Sequence, residues 1–283
     1  MSTILVTGAT GKQGGAVARG LIQRGHTVRA LTRKPDGAAA KALADAGAHI
    51  VVGALEDRAS LDRAAAGADA VFSMSTPFEQ GPEVEVRQGV TVADAARAAG
   101  AYLVYTSVAS ADRATGIPHF DSKYRVEQHI RSTGAKAAII APVYFMENVY
   151  FAAEQFRAGV YATPLTPGRK LAQIAVDDIA HCAIAALEDP GRFAGTRFDL
   201  AGDEVSGEDA VAILSRVSGR PFHYFQVPME MIRQGMGEDG VRMYEWFERT
   251  GYAVDRAALA SAFPGVAWTS FEAWARRQPG VGA

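Results

Sequence analysis

Three glycines, Gly8, Gly11 and Gly14, stand where a short apolar run ends and a helical pattern begins, in Thr7-Gly8-Ala9-Thr10-Gly11-Lys12-Gln13-Gly14. Such a loop suits one kind of chemistry. Glycine permits a tight turn and close backbone approach, and the first amides of the following helix present a partial positive charge to a pyrophosphate. Gly8, Thr10, Gly11, Lys12, Gln13 and Gly14 are therefore the first candidate ligands. A glycine pattern alone is a weak signal; the strand before it and the helix after it give it meaning.

The second apolar run, Val28–Leu31, ends in Thr32-Arg33-Lys34. An acid at this point would bind ribose hydroxyls, whereas a basic residue accommodates a 2′-phosphate. Arg33 and Lys34, with Lys12 in the loop, point to NADP(H); the alternative is a solvated basic turn. The third run leads into Gly53-Ala54-Leu55-Glu56-Asp57, which would pass the adenine. Ala54 offers no polar side-chain contact there, which leaves Asp57 or the backbone. Ser75 and Thr76 end the fourth run, facing the middle of a dinucleotide or serving as turn chemistry.

The elements that must position these residues can be read from periodicity. Apolar runs at Ile4–Thr7, Val28–Leu31, His49–Val52, Ala70–Met74, Tyr102–Thr106 and Ala137–Ile140 alternate with helical patterns near Gly14–Arg24, Ala38–Ala46, Leu61–Ala66, Val84–Ala99 and Asp121–Ser132. Near-continuous apolar strands between helices predict a doubly wound α/β fold with a parallel sheet. A further helix, Val176–Glu188, and a strand, Arg197–Leu200, would return to the sheet. The expected division is a Rossmann-type domain over residues 1–143, completed by 171–202, and a smaller, mostly helical lobe over 144–170 and 203–283.

Composition narrows the classes. The 283 residues carry 29 basic and 31 acidic side chains, a formal net charge of −2, with 48% hydrophobic residues. The chain is too apolar for disorder, and its charge gives no broad footprint for nucleic acid or an anionic membrane. The lone Cys182 cannot form an internal disulfide, and with His181 it lacks the partners of a metal site, so no metal is expected. Asp177 and Asp178 are read as helix-capping residues. No secretory pattern and no membrane-spanning run is present, so a cytoplasmic protein is expected, with a frayed tail over Pro279–Ala283. Only 6 of the 29 basic residues are lysines, and three of these, Lys12, Lys34 and Lys123, fall on the candidate site, which suggests a small basic pocket.

The loop TGATGKQGG, the basic pair after the second run, GALED, YTSVAS, HFDSKYRVEQHI and PVYFMEN together resemble the NmrA-like family, an atypical branch of the short-chain dehydrogenases/reductases. The resemblance runs nearly the whole chain, through Asp177-Asp178-Ile179-Ala180 to Trp268–Trp274. It implies a Rossmann-type NADP(H) domain and a substrate cleft against a smaller lobe. Two functions are implied. One is an NADPH-dependent oxidoreductase of quinones, enones, dyes or imines. The other is a non-catalytic NADP(H)-binding redox sensor that acts through a protein partner.

Short-chain reductases use a Tyr-x-x-x-Lys pair with a hydroxyl at the end of the fifth strand. Here the lysine is Lys123, but His119 stands four residues earlier in place of Tyr. Thr106 and Ser107 end the fifth run. Three readings stay open. Lys123 holds the nicotinamide ribose and brings positive charge to a developing oxyanion; His119 replaces Tyr as proton donor; or Lys123 merely pairs with Glu127 and His119 lies on the surface. Without the Tyr, a conjugated acceptor suits the chain better than a simple ketone, because it spreads the charge left by hydride. Pro142, Tyr144 and Phe145 follow the sixth run, where the backbone would meet the nicotinamide and Tyr144 would wall the substrate. Phe78, Tyr150, Phe151, Phe225, Met229, Tyr244, Trp246 and Phe247 are further lining candidates or plain core. The expected ligand is a small aromatic or conjugated molecule, with a homodimer as one option and no nucleic-acid or membrane partner.

Overall fold

The computed structural model describes residues 1–279 and 281. Gly280, Gly282 and Ala283, part of the expected frayed tail, lie outside the described residues. Strand and helix alternate in the order β1 (Thr3–Val6), α1 (Lys12–Gln23), β2 (Thr27–Thr32), α2 (Ala38–Asp45), β3 (His49–Val52), α3 (Arg58–Ala65), β4 (Ala70–Ser73), α4 (Pro82–Ala98), β5 (Tyr102–Thr106), α5 (Pro118–Ser132) and β6 (Ala137–Pro142). Then follow β7 (Tyr144–Phe145), α6 (Ala153–Arg157), β8 (Val160–Thr163), β9 (Leu171–Ile174), α7 (Val176–Glu188), α8 (Pro190–Phe193), β10 (Arg197–Leu200), β11 (Asp203–Val205), α9 (Gly207–Ser218), β12 (His223–Gln226), α10 (Met229–Arg249), α11 (Arg256–Ala262) and α12 (Phe271–Arg276).

The chain divides into two units. The first comprises Met1–Ala114, Pro118–Ala141 and Ile179–Asp199. Its sheet runs β10-β6-β5-β4-β1-β2-β3. The pairs from β3 through β6 are parallel. This is the doubly wound order, and the reversal between β1 and β4 leaves a crevice at the carboxyl ends of the strands. Leu5, Val71, Leu103 and Tyr105 pack one sheet face against Leu61 of α3, Val92 of α4, and Val126 and Ile130 of α5. The alternating residues Ile4, Val6, Phe72 and Val104 are equally buried, so the opposite face is covered too. Each such side chain contributes about 1.5–3 kcal/mol by leaving water.

The second unit comprises Thr115–Ile117, Pro142–Asp178 and the chain from Leu200 onward. It carries a three-stranded sheet, β11-β9-β7, and a two-stranded one, β12-β8. Its core gathers Phe156, Tyr161, Leu214, Phe222, Phe271 and Trp274. The five short strands are absent from the periodicity reading, which saw mainly helix here. A Ser206–Asp209 capping box starts α9.

Two local expectations are corrected. Helix α5 begins at Pro118, not Asp121, because proline fits the first turn, where its missing N–H costs nothing. Asp177 and Asp178 do not cap α7 but stand in its first turn. The Asp178 carboxylate accepts from the Thr269 amide and hydroxyl at 2.7 and 2.8 Å. Cys182 is fully buried. Among the described residues no helix is long and apolar enough to cross a membrane.

Candidate functional site

Four strand ends of the first unit build one groove of about 530 Å³. Gly8, Thr10 and Gly11 line it after β1; Arg33 and Lys34 after β2; Gly53, Ala54, Leu55 and Glu56 after β3; Met74, Ser75, Thr76 and Glu79 after β4. Its size is that of a ligand pocket, and it sits where an open α/β sheet binds nucleotides.

The loop geometry explains the glycine spacing. Gly8 has φ +60°, and its carbonyl accepts from the Gly11 amide at 2.9 Å. At Gly14 a Cβ would lie 2.4 Å from the Gly8 carbonyl oxygen and 2.8 Å from that of Thr7. Any side chain there would push α1 off the loop. The Thr7 hydroxyl donates to the Met74 carbonyl at 3.2 Å and accepts its amide at 2.9 Å. This clamp fixes the loop to the end of β4; sequence spacing gave no hint of it. No side chain caps α1 and no acid stands in its first turn. Its N-terminal amides and dipole are thus open to an anion without competition from a first-turn carboxylate. Lys12, Gln13 and Gly14 belong to this first turn and do not line the groove.

The rim of the groove carries opposed charges. Arg33 Nη2 meets Glu79 Oε2 at 2.8 Å. The hydrogen bond Arg33 donates to Glu79, then the Glu79 charge, and more weakly the charge of Glu56 raise the Arg33 pKa above its already high value. Glu56 Oε1 accepts from Gln88 Nε2 at 2.5 Å. The Asp57 carboxylate caps α3 by accepting from the Ser60 amide at 3.2 Å, and its neighbour Glu56 is the acid of this segment that lines the groove.

The α5 segment is arranged otherwise than spacing suggested. Lys123 does not pair with Glu127. Its Nζ meets Glu85 Oε1 at 2.8 Å and donates to the Ser75 carbonyl at 3.1 Å. Glu85 lies on α4, fully buried, and its other oxygen accepts the Ser122 hydroxyl. The only sequence sign of it was an acid on the apolar face of α4, one and two turns before Gly89 and Val92. Glu127 accepts instead from Ser107 at 2.5 Å and from Arg131 and Arg197 at 2.9 Å. With Ser107 so engaged, the buried hydroxyls of Thr106 and of Tyr105 before it have no hydrogen-bond partner among the described residues. His119 is buried, not on the surface; its ring centroid lies 6.0 Å from that of Phe78 and 4.8 Å from that of Phe120. Of the three lysines only Lys34 lines the groove, where Glu56 and Glu79 stand with it and Arg33, so the groove is not the small basic pocket that the lysine positions suggested.

Pro142, Tyr144 and Phe145 belong to the second unit. Pro142 ends β6, and Phe145 pairs with Ile174 across β7 and β9. The Tyr144 hydroxyl lies 3.3 Å from that of Tyr244. Burial first, then Tyr244, pushes the Tyr144 hydroxyl well above its ordinary pKa, so it keeps its proton. Tyr244, Trp246 and Phe247 are buried, while Phe78, Phe151 and Phe225 are exposed.

The family model that matches this chain, over residues 1–275, is that of the NmrA-like family. A (4-alkanoyl-5-oxo-2,5-dihydrofuran-3-yl)methyl phosphate reductase of Streptomyces griseus subsp. griseus is 33% identical over 82% of this chain and 80% of its own length. An NAD(P)H azoreductase of Xenophilus azovorans is 31% identical over 82% of this chain and 80% of its own. Among solved structures, the triphenylmethane reductase of a Citrobacter species, complexed with NADP(H), superposes with a TM-score of 0.78 at 21% identity, covering 96% of this chain and 98% of its own. At that identity the likeness shows the shared fold.

Proposed function

This chain belongs to the NmrA-like family, and on that premise we propose that it is an NADPH-dependent oxidoreductase whose acceptor is a small conjugated molecule of the quinone, enone or imine type. The observation that carries the reading is the groove at the strand ends, where the uncapped α1 N-terminus and Arg33 stand together. Reductase relatives at 33% and 31% identity support it.

The residues present fit a dinucleotide phosphate. The tight approach of α1 to the Gly8 carbonyl leaves room for backbone alone, which is what a pyrophosphate cradle requires. Arg33 and Lys34 would take the 2′-phosphate, and Ser75 and Thr76 the middle of the molecule. Bound NADPH supplies the hydride. Lys123 donates to the Ser75 carbonyl and is ion-paired with Glu85, and an ammonium has three donors, which leaves at least one for the ribose of the nicotinamide half. Lys123 acts there by orientation. With the Glu85 carboxylate in contact it brings little net charge to a developing oxyanion, so the acceptor must spread that charge itself.

Thr106, buried with its hydroxyl unsatisfied, is the candidate second donor from the end of β5. His119 and Tyr144 are the candidate proton donors: the first is held beside Phe78, and the second is kept protonated by burial. The second unit is the proposed acceptor-binding lobe, and a homodimer is the proposed assembly.

The test is loss of reduced-nicotinamide absorbance with a panel of quinones, enones and imines. NADPH-dependent turnover of at least one acceptor is expected. Tight NADPH binding without turnover on any of them would overturn the reductase reading in favour of a non-catalytic redox sensor.

A further inference from the structure

The rim of the groove holds the recognition chemistry of both nicotinamide dinucleotides. Arg33 and Lys34 are the partners a 2′-phosphate needs, whereas a carboxylate is the partner that a free 2′-hydroxyl needs. Glu79 brings such a carboxylate to the same edge from the segment after β4, and lines the groove together with Arg33. The two are joined, Nη2 to Oε2 at 2.8 Å, with side chains 54% and 58% exposed.

We infer that Glu79 sets the cofactor preference: its carboxylate competes with a 2′-phosphate for Arg33, which lowers the preference for NADPH over NADH. The inference rests on the NADP(H) reading above and assigns the specificity of that same site. Two roles for the pair are conceivable, and they predict opposite signs. As a buttress, Glu79 would stay on Arg33 and aim it at the phosphate. As a competitor, it would yield. The geometry points to the competitor. The contact is a single hydrogen bond between exposed groups, which is a weak link. A phosphate takes a guanidinium through two parallel charge-assisted bonds, which is a stronger one. A carboxylate that stayed would then face a group carrying about −1.5 to −2 charge at neutral pH. Glu56, on the same rim, adds to the negative field that Arg33 already satisfies. With NADH there is no phosphate to oppose, and the Glu79 carboxylate can accept from a ribose hydroxyl.

The experiment is a fluorescence titration of NADPH and NADH against the parent chain, Glu79→Gln, Arg33→Gln and the double variant. Both side chains are more than half exposed, so these substitutions leave the fold in place, which unfolding midpoints will confirm. Glu79→Gln should tighten NADPH roughly 3–5-fold, the strength of one exposed pair, and leave NADH equal or weaker. In the Arg33→Gln background the same change should bring a clearly smaller gain for NADPH, because the competition has lost its object and only screened repulsion of the phosphate remains. A weaker or unchanged NADPH affinity in Glu79→Gln overturns the inference, as does an equal gain without Arg33. If the parent binds neither dinucleotide, the proposed function falls with it; if the parent binds NADPH and the variants fail as stated, only the role of Glu79 falls.

Discussion

Removing Lys123 is the obvious test of its role, yet Lys123→Ala or Lys123→Met alone would mislead. Glu85 has no exposed surface, and its charge is met by Lys123 at 2.8 Å. Without the lysine it keeps only the Ser122 hydroxyl, from a group whose other contact is the His119 carbonyl at 3.1 Å. Breaking a buried ion pair by removing one partner costs about 3–5 kcal/mol, because a charge is left without compensation. Replacing both partners by neutral groups of similar shape is often near neutral. Lys123→Met should therefore lose about 3 kcal/mol, a midpoint drop of roughly 6–12 °C for a chain of this size. Adding Glu85→Gln to that variant should restore about 2 kcal/mol or more, although Glu85→Gln destabilises the parent. The assay is urea unfolding of all four proteins, with NADPH affinity and turnover measured on each. The double variant should regain its stability and stay impaired in cofactor binding and turnover, which separates the role of Lys123 at the ribose from its role in the core. If Glu85→Gln destabilises the Lys123→Met variant as much as it does the parent, the two residues are not coupled and the reasoning fails.

The glycine loop gives a sharper steric prediction. Gly14→Ala places a Cβ 2.4 Å from the Gly8 carbonyl oxygen, and both are backbone, so α1 must move. NADPH affinity should fall more than about tenfold with a stability loss of roughly 1–3 kcal/mol, and near-parental binding by titration would refute the cradle. Glu147 predicts a pH dependence in the second unit. Burial, the largest cause, raises its pKa above the ordinary glutamate value, although hydrogen bonds from the Val176 amide and the Trp274 indole pull it back. The native state then holds a proton that the unfolded chain has already released. Stability from this group is full below the ordinary glutamate value and falls as pH rises from there through the raised one. Glu147→Gln should flatten that decline in midpoint-versus-pH curves; an unchanged slope would remove Glu147 as its source.

What could be read from the sequence follows from the range of the interactions. The parallel sheet was legible because β4, β5 and β6 are buried on both faces and so appear as unbroken apolar runs. The groove was legible because a strand, three glycines and a helix are contiguous. In the second unit β7 and β11 were not, since they have two residues and three, too few to show a period. The start of α5 lies ahead of the helical pattern from Asp121, because Pro118 occupies the first helical position, which periodicity does not mark. The ion pairs were the least legible. Spacing of four residues favoured Lys123 with Glu127, a helix-surface pair of a few tenths of a kcal/mol. Tertiary packing overrides so small a preference. It brings Glu85 to Lys123 from α4 and Arg197 to Glu127 across 70 residues of chain.

Arg33 and Lys123, two of the three cations proposed to touch the dinucleotide, are thus held in opposite ways, and the difference assigns them different work. Lys123 is fixed: its partner Glu85 is wholly buried, its side chain is 13% exposed, and exchange would strand a carboxylate in the core. A group held like that suits orientation, since it stays in place whichever ligand arrives. Arg33 is exchangeable: its partner is exposed, the link is one hydrogen bond, and water can solvate either group when they part. A group held like that suits discrimination, because its partner can give way to one ligand and remain for another. Because Glu56 and Glu79 line the groove beside Arg33 and Lys34, it offers little net charge to draw an anion from a distance. Phosphate affinity must then come from close contacts: the uncapped N-terminus of α1, Lys34, and partner exchange at Arg33. Substitutions at Glu79 should accordingly move the choice of dinucleotide and leave the acceptor chemistry alone, whereas substitutions at Glu85 should move turnover with both dinucleotides together.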